Sequence, residues 1–213
     1  MSDPGMSDLV LYDDELDEDC YRVRLFLSLL GLRARRVVVD VVPGGEQDSA
    51  AFRAVSPAGV LPVLRIEGQA VCGAEAVLLA LAHGRPGWLP EGRADFARVA
   101  HWLQFAGGPL RAALLMRRAS LFAGAGDEQS DRRRAAVAAL RILEDHLAHR
   151  RLDGGLWVVG EGPTVADVAL FPAAALCRDW GEEHSAYPAL RRWVRAVRAL
   201  PGFVTMPGIP DYG

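Results

Sequence analysis

The stretch SPAGVLPVLRIEGQAVC, residues 56–72, decides how the chain is read. Its apolar run Val60 to Ile66 has the composition of a strand, yet Pro62 interrupts it. Proline has no N–H for a sheet ladder and is confined to strand starts, edges and bulges. Here it follows Gly59 and opens the best part of the run, so a turn delivers the chain into a strand through Pro62. X-Pro bonds are nearly the only ones that adopt cis, which leaves a cis Leu61–Pro62 bond open. In such a turn the backbone N–H and C=O of Leu61 lack a sheet partner and can serve a ligand. Glu67-Gly68 then makes a tight turn into Gln69 to Cys72, a hairpin signal.

Outward from this hairpin, the first third alternates strand and helix patterns. Leu9 to Tyr12 reads as a strand, and an acidic run, Asp13 to Asp19, leads into a helix from Cys20 to Leu30 that Gly31 stops. Acidic residues suit the partial positive charge of a helix start. Arg36 to Val41 forms a second strand, Ser49 to Val55 holds a short helix, and Gly73 to Ala82 makes a third. The order is β-α-β-α-β-β-α. "HGRPGWLPEG", from His83 to Gly92, breaks the pattern and divides residues 7–83 from 93–213, with 84–92 as linker. Beyond it every period is helical: Ala94 to Phe105, Ala112 to Phe122 after a break at Gly107-Gly108-Pro109-Leu110, Asp131 to Arg150, and a last helix through Leu190, Trp193, Val194 and Val197.

The totals fit a globular chain: 213 residues, 51% hydrophobic, 24% charged, net charge -3. No run of eighteen apolar residues spans a membrane, and the start "MSDPGMSDLV" has no secretory pattern, so a cytoplasmic protein is expected. Cys20, Cys72 and Cys177 make neither a disulfide framework nor a zinc spacing. All 24 basic residues are arginine, and asparagine is also missing. Lysine and asparagine have AT-rich codons, which points to a high-GC bacterial genome and weakens any argument from Arg clusters. Arg132-Arg133-Arg134 and the set around Arg195 read as polar helix faces, not a nucleic-acid surface. The histidines form no metal set.

The element order resembles the glutathione transferase superfamily: a thioredoxin-like α/β domain followed by an all-α domain. Gly59 to Leu64 looks like the superfamily's cis-proline turn. Gly162-Pro163-Thr164-Val165-Ala166-Asp167-Val168-Ala169-Leu170 resembles its helical-domain signature, with Thr164 as cap and Asp167 bonding back to it. Cys20-Tyr21-Arg22-Val23-Arg24-Leu25 is similar to the first helix of bacterial members. The resemblance implies a homodimer, a small-molecule substrate and a glutathione site.

That site departs from the family pattern. Where bacterial relatives place the serine that stabilises the thiolate stands Asp17, which would repel one. Two residues before the proline, Val60 replaces a Lys or Gln. The acid–Ser pair that takes the γ-glutamyl group reads Gly73 and Ala74, with Glu75 next in line as a substitute ammonium partner. Taking away one charged partner in a buried site costs ~2–5 kcal/mol. The backbone of Leu61 beside Pro62 and the N–H groups at the start of the third helix survive.

Asp17, among crowded carboxylates that raise one another's pKa, is a candidate acid–base group, set against a plain solvated loop and cap. Cys20 at a helix start is a candidate nucleophile, opposed by the same acids. The resemblance further implies a substrate wall at His101, Gln104 and Phe105, continued by Arg111 and Leu115, with Tyr212 in reach. Three readings follow: a transferase with a reshaped thiol site and a small apolar electrophile; an isomerase, dehydratase or cyclase that uses Asp17 and no thiol; or a non-catalytic binding protein.

Overall fold

A computed structural model describes residues 9–122 and 128–211. The chain divides into two compact units, the residues up to Leu81 together with Pro201–Val204, and Ala82–Leu200 with the segment from Thr205.

In the first unit, strands β1 (Leu9–Asp13), β2 (Ala34–Val38), β3 (Val63–Ile66) and β4 (Gln69–Cys72) form one sheet in the order β2-β1-β3-β4. β1 pairs parallel with β2 and antiparallel with β3, Tyr12 lying opposite Val63, and β3 pairs antiparallel with β4, Val63 opposite Cys72. Helices α1 (Glu18–Leu29), α2 (Ala50–Arg53) and α3 (Ala74–Ala82) complete the expected βαβαββα order. Gly31, with φ 65°, takes the left-handed turn that ends α1. β2 stops at Val38, short of the expected Val41. Val39 turns inward instead and packs with Phe52 and Val63. The Tyr21 hydroxyl donates to the Val204 carbonyl at 2.7 Å, which fastens Pro201–Val204 to α1.

The second unit is helical: α4 (Arg93–Gly107), α5 (Arg111–Phe122), α6 (Glu128–Leu152), α7 (Val165–Ala175) and α8 (Pro188–Arg198), with two 3₁₀ turns between α7 and α8. The break at Gly107-Gly108 separates α4 from α5 completely. α7 is buried along its whole length. Asp167 in its first turn accepts from the Thr164 amide (2.8 Å) and hydroxyl (3.0 Å), the Val158 amide (3.1 Å) and Trp193 Nε1 (2.8 Å). This carboxylate ties α7 to the preceding loop and to α8. Burial drives its pKa up against those bonds.

Candidate functional site

The register sets where the candidate residues of the first unit meet. β3 begins opposite the C-terminal end of β1, and β4 ends opposite the start of β3. The turn through Pro62, the loop Asp13 to Asp17 and the start of α3 therefore share one end of the sheet. The Leu61–Pro62 peptide is cis. The Pro62 carbonyl accepts from the Gly73 amide at 2.9 Å, which locks the turn to the entry of α3. Val60 is spent at its backbone, since its N–H donates to the Ser56 hydroxyl and its C=O accepts from it, both at 3.0 Å. Leu61 is different: its side chain packs on the Val39–Phe52–Val63 core, while its N–H and C=O have no hydrogen-bond partner among the described residues.

Gly73 adopts φ 88°, with open space where a Cβ would point. Ala74 is buried, so neither position offers a polar side chain. The first N–H groups of α3 have no intrahelical acceptor, as at any helix start. Glu75 is engaged: its Oε1 accepts from Arg22 Nη1 at 3.0 Å, and the same nitrogen lies 2.8 Å from Asp19. Arg22 is wholly buried.

The acidic run is not a solvated loop. Asp13 is fully buried between Arg24 and Arg36, and Glu18 and Asp19 are buried too. Arg24 also donates to the carbonyls of Asp14 (2.9 Å) and Glu15 (2.8 Å), so this loop is clamped. At its end Asp17 caps α1, accepting from the Cys20 amide at 2.8 Å. Burial first, then the charge of Asp19, raises the Asp17 carboxyl from 3.8 to about 6. Cys20 has no exposed surface and accepts from the Asp14 amide at 3.4 Å. Burial and Asp17 push its thiol well above its ordinary value, which suits a packed residue and not a nucleophile.

In the second unit, His101 and Gln104 are exposed on α4, and Arg111 and Leu115 are exposed one turn apart on α5. Phe105 points inward, its ring 5.1 Å from that of Trp102, and belongs to the core. Tyr212 lies outside the described residues. Among the described residues no group of three or more His, Cys, Asp or Glu side chains has a metal-binding arrangement, and no helix is long and apolar enough to cross a membrane. The sequence reading missed the Arg22–Glu75 and Arg24–Asp13 pairs, for which the only signal was arginine at two positions of one helix.

Known proteins share this fold. Residues 20–83 match the family model described as glutathione S-transferase, N-terminal domain, and residues 126–196 its C-terminal domain. Maleylacetoacetate isomerase of Rhizobium meliloti is 31% identical over 92% of this chain and 94% of its own. The chain belongs to the glutathione S-transferase superfamily. A probable maleylacetoacetate isomerase of Vibrio cholerae is 28% identical over 93% of the chain and 94% of its own length. A crystal structure of a superfamily member from Xanthobacter autotrophicus, described as a glutathione S-transferase, superposes with a TM-score of 0.85 at 31% identity, covering 94% of this chain and 97% of that one. The thioredoxin-like domain and the helical domain are thus those of the superfamily.

Proposed function

We propose that this superfamily member is an isomerase-type enzyme in which the Asp17 carboxyl, not a thiol, moves the proton. The carboxylate takes a proton from a carbon beside a carbonyl of a small unsaturated substrate. The resulting acid returns that proton at a conjugated carbon, so a double bond shifts along the chain and no atom is gained or lost. One observation carries the reading: a half-buried carboxyl on the cap of α1, beside Asp19 and Glu18, which burial and those charges push up to about 6. A base with that pKa is ionised at neutral pH and still returns its proton readily. Relatives named as maleylacetoacetate isomerases support the reaction class.

The residues fit glutathione poorly. Leu61 offers an amide and a carbonyl to the middle of a peptide, but Gly73 and Ala74 offer no polar side chain to the γ-glutamyl end, Glu75 is paired with Arg22, and Asp17 is a carboxylate where a hydroxyl donor is needed. No step is routed through the thiol. The free groups of Leu61 favour one second reading, a transferase whose thiol is held mainly by backbone. The protein acts as a homodimer in either case.

A small β,γ-unsaturated ketone serves as probe substrate, assayed with and without glutathione. We expect isomerisation without the thiol, a rate that rises with pH through about 6, and a loss of ~10²–10⁴-fold in Asp17→Asn. Strict dependence on glutathione, or full activity in Asp17→Asn, overturns the proposal. Heat on calorimetric titration with millimolar glutathione supports the second reading.

A further inference from the structure

The sheet of the first unit has β2 at one edge. The Val39 N–H donates to the Asp13 carbonyl at 3.0 Å. Backbone groups alternate along a strand, so Arg35, Val37 and Val39 face β1, while Ala34, Arg36 and Val38 turn N–H and C=O outward. None of those outward groups has a hydrogen-bond partner among the described residues. Val38 is 71% exposed. A free edge of this kind is a template for one more strand.

The two faces beside that edge differ in charge. On one, Arg36 is paired with Asp13 and Glu15. On the other, Arg35 lies in one row with Val10 and Arg65 across the sheet. Arg35 and Arg65 are exposed, as is Arg33 just before β2, and none of the three has a hydrogen bond or ion pair among the described residues. Two residues along this second face, Val37 and Val39 wall a hollow of about 380 Å³ between β2 and α2, closed by Tyr12, Phe52 and Val55. The acid on its rim, Glu46, is committed: its Oε2 accepts from the Asp40 amide at 2.8 Å. The hollow is therefore mainly apolar, and unpaired positive charge lies at one end of it.

We propose that β2 is a docking edge for an extended acidic segment of a partner protein, which joins the sheet as a fifth strand. Its backbone pairs with Ala34, Arg36 and Val38. An acidic side chain lies beside Arg35, and a large apolar one fills the hollow beside Val37. Arg35 and Val37 are two residues apart on one face, so the strand period sets the same spacing in the ligand. Charge complementarity selects this occupant. A second copy of the chain would bring its own Arg33, Arg35 and Arg36 against these, and like charges across a strand pair repel.

The test uses the whole protein and fluorescein-labelled peptides of sequence TDTDTFT and its reverse, read by fluorescence polarisation. We expect one of them to bind, and to bind roughly tenfold more weakly, about 1.4 kcal/mol, when lysine replaces both aspartates or in Arg33→Glu/Arg35→Glu. Val38→Pro removes an outward N–H and no bond to β1, and should weaken binding as well. Two further peptides keep the test independent of how the variants fold: one N-methylated at the Asp and Phe residues, the other at the Thr residues. Only one of these sets can face β2, so one form should lose binding and the other keep it. Equal binding of the two methylated forms overturns the proposal, as does equal binding of the lysine peptide, or no binding at millimolar protein. A parent protein that sediments as a larger species than Val38→Pro also overturns it, because a second copy then covers the edge. None of these readouts depends on Asp17 or on turnover, so the proposal stands or falls apart from the isomerase reading.

Discussion

Two aspartates sit at helix starts, one in each unit, and the protein treats them in opposite ways. Asp167 is surrounded by donors: the Thr164 amide and hydroxyl, the Val158 amide and the Trp193 indole. Asp17 accepts the Cys20 amide but lies among acids, with Asp19 and Glu18 both raising its pKa. Burial pushes each carboxyl upward. In Asp167 the surrounding bonds oppose that push, as expected of a structural group. In Asp17 the neighbouring charges add to it, as expected where a proton is to be moved.

The strongest way to break this contrast is to remove Asp167. Asp167→Ala strands the indole and two buried amides, and each buried donor left unmade costs about 1–3 kcal/mol. We expect a loss of about 3–5 kcal/mol in urea unfolding. A loss below about 1 kcal/mol would show that water replaces the carboxylate and that the donor shell is not structural. Trp193→Phe sharpens the point by deleting one donor alone. A hydrogen bond to a charged group is worth about 1.5–3 kcal/mol, and the double variant should cost less than the sum of the two single ones. Additive losses would mean that indole and carboxylate act independently.

The contrast also explains what could be read from the sequence. The Thr164–Asp167 box lies within four residues, and Gly59 to Pro62 is punctuated by residues with fixed backbone preferences, so local chemistry declares both. The βαβαββα order followed from period and turn residues. The end of β2 did not, because Val37 to Val41 has strand composition throughout and only packing against Phe52 turns Val39 inward. Position 17 was legible as a departure from the family pattern and as one of a crowd of carboxylates, but the burial that leads its shift was not. Arg22 meets Glu75 across 53 residues, and Arg36 reaches Asp13 across 23. In a chain whose every basic residue is arginine, nothing local separates those buried arginines from the solvent-facing ones.

The mildest test applies one substitution to both aspartates and looks for opposite signs. Asp167→Asn replaces an acceptor with an NH₂ facing donors, and must destabilise at any pH where the acid is ionised. Asp17→Asn keeps a good cap residue and removes an ill-placed charge. The sign follows from linkage. The folded pKa of Asp17 stands at about 6 against 3.8 for the ordinary group, so the native state holds its proton more tightly. Wild type therefore loses stability as pH rises from about 4 to about 6, while the Asn variant does not. Allowing for partial exposure, Asp17→Asn should be more stable than wild type by about 1–2 kcal/mol at pH 7 and equal to it below pH 4. Urea unfolding of both proteins across that range decides the matter. A difference that stays constant with pH, or an Asn variant weaker at pH 7, would mean that Asp17 is an ordinary cap, and would remove the physical basis for its proton chemistry.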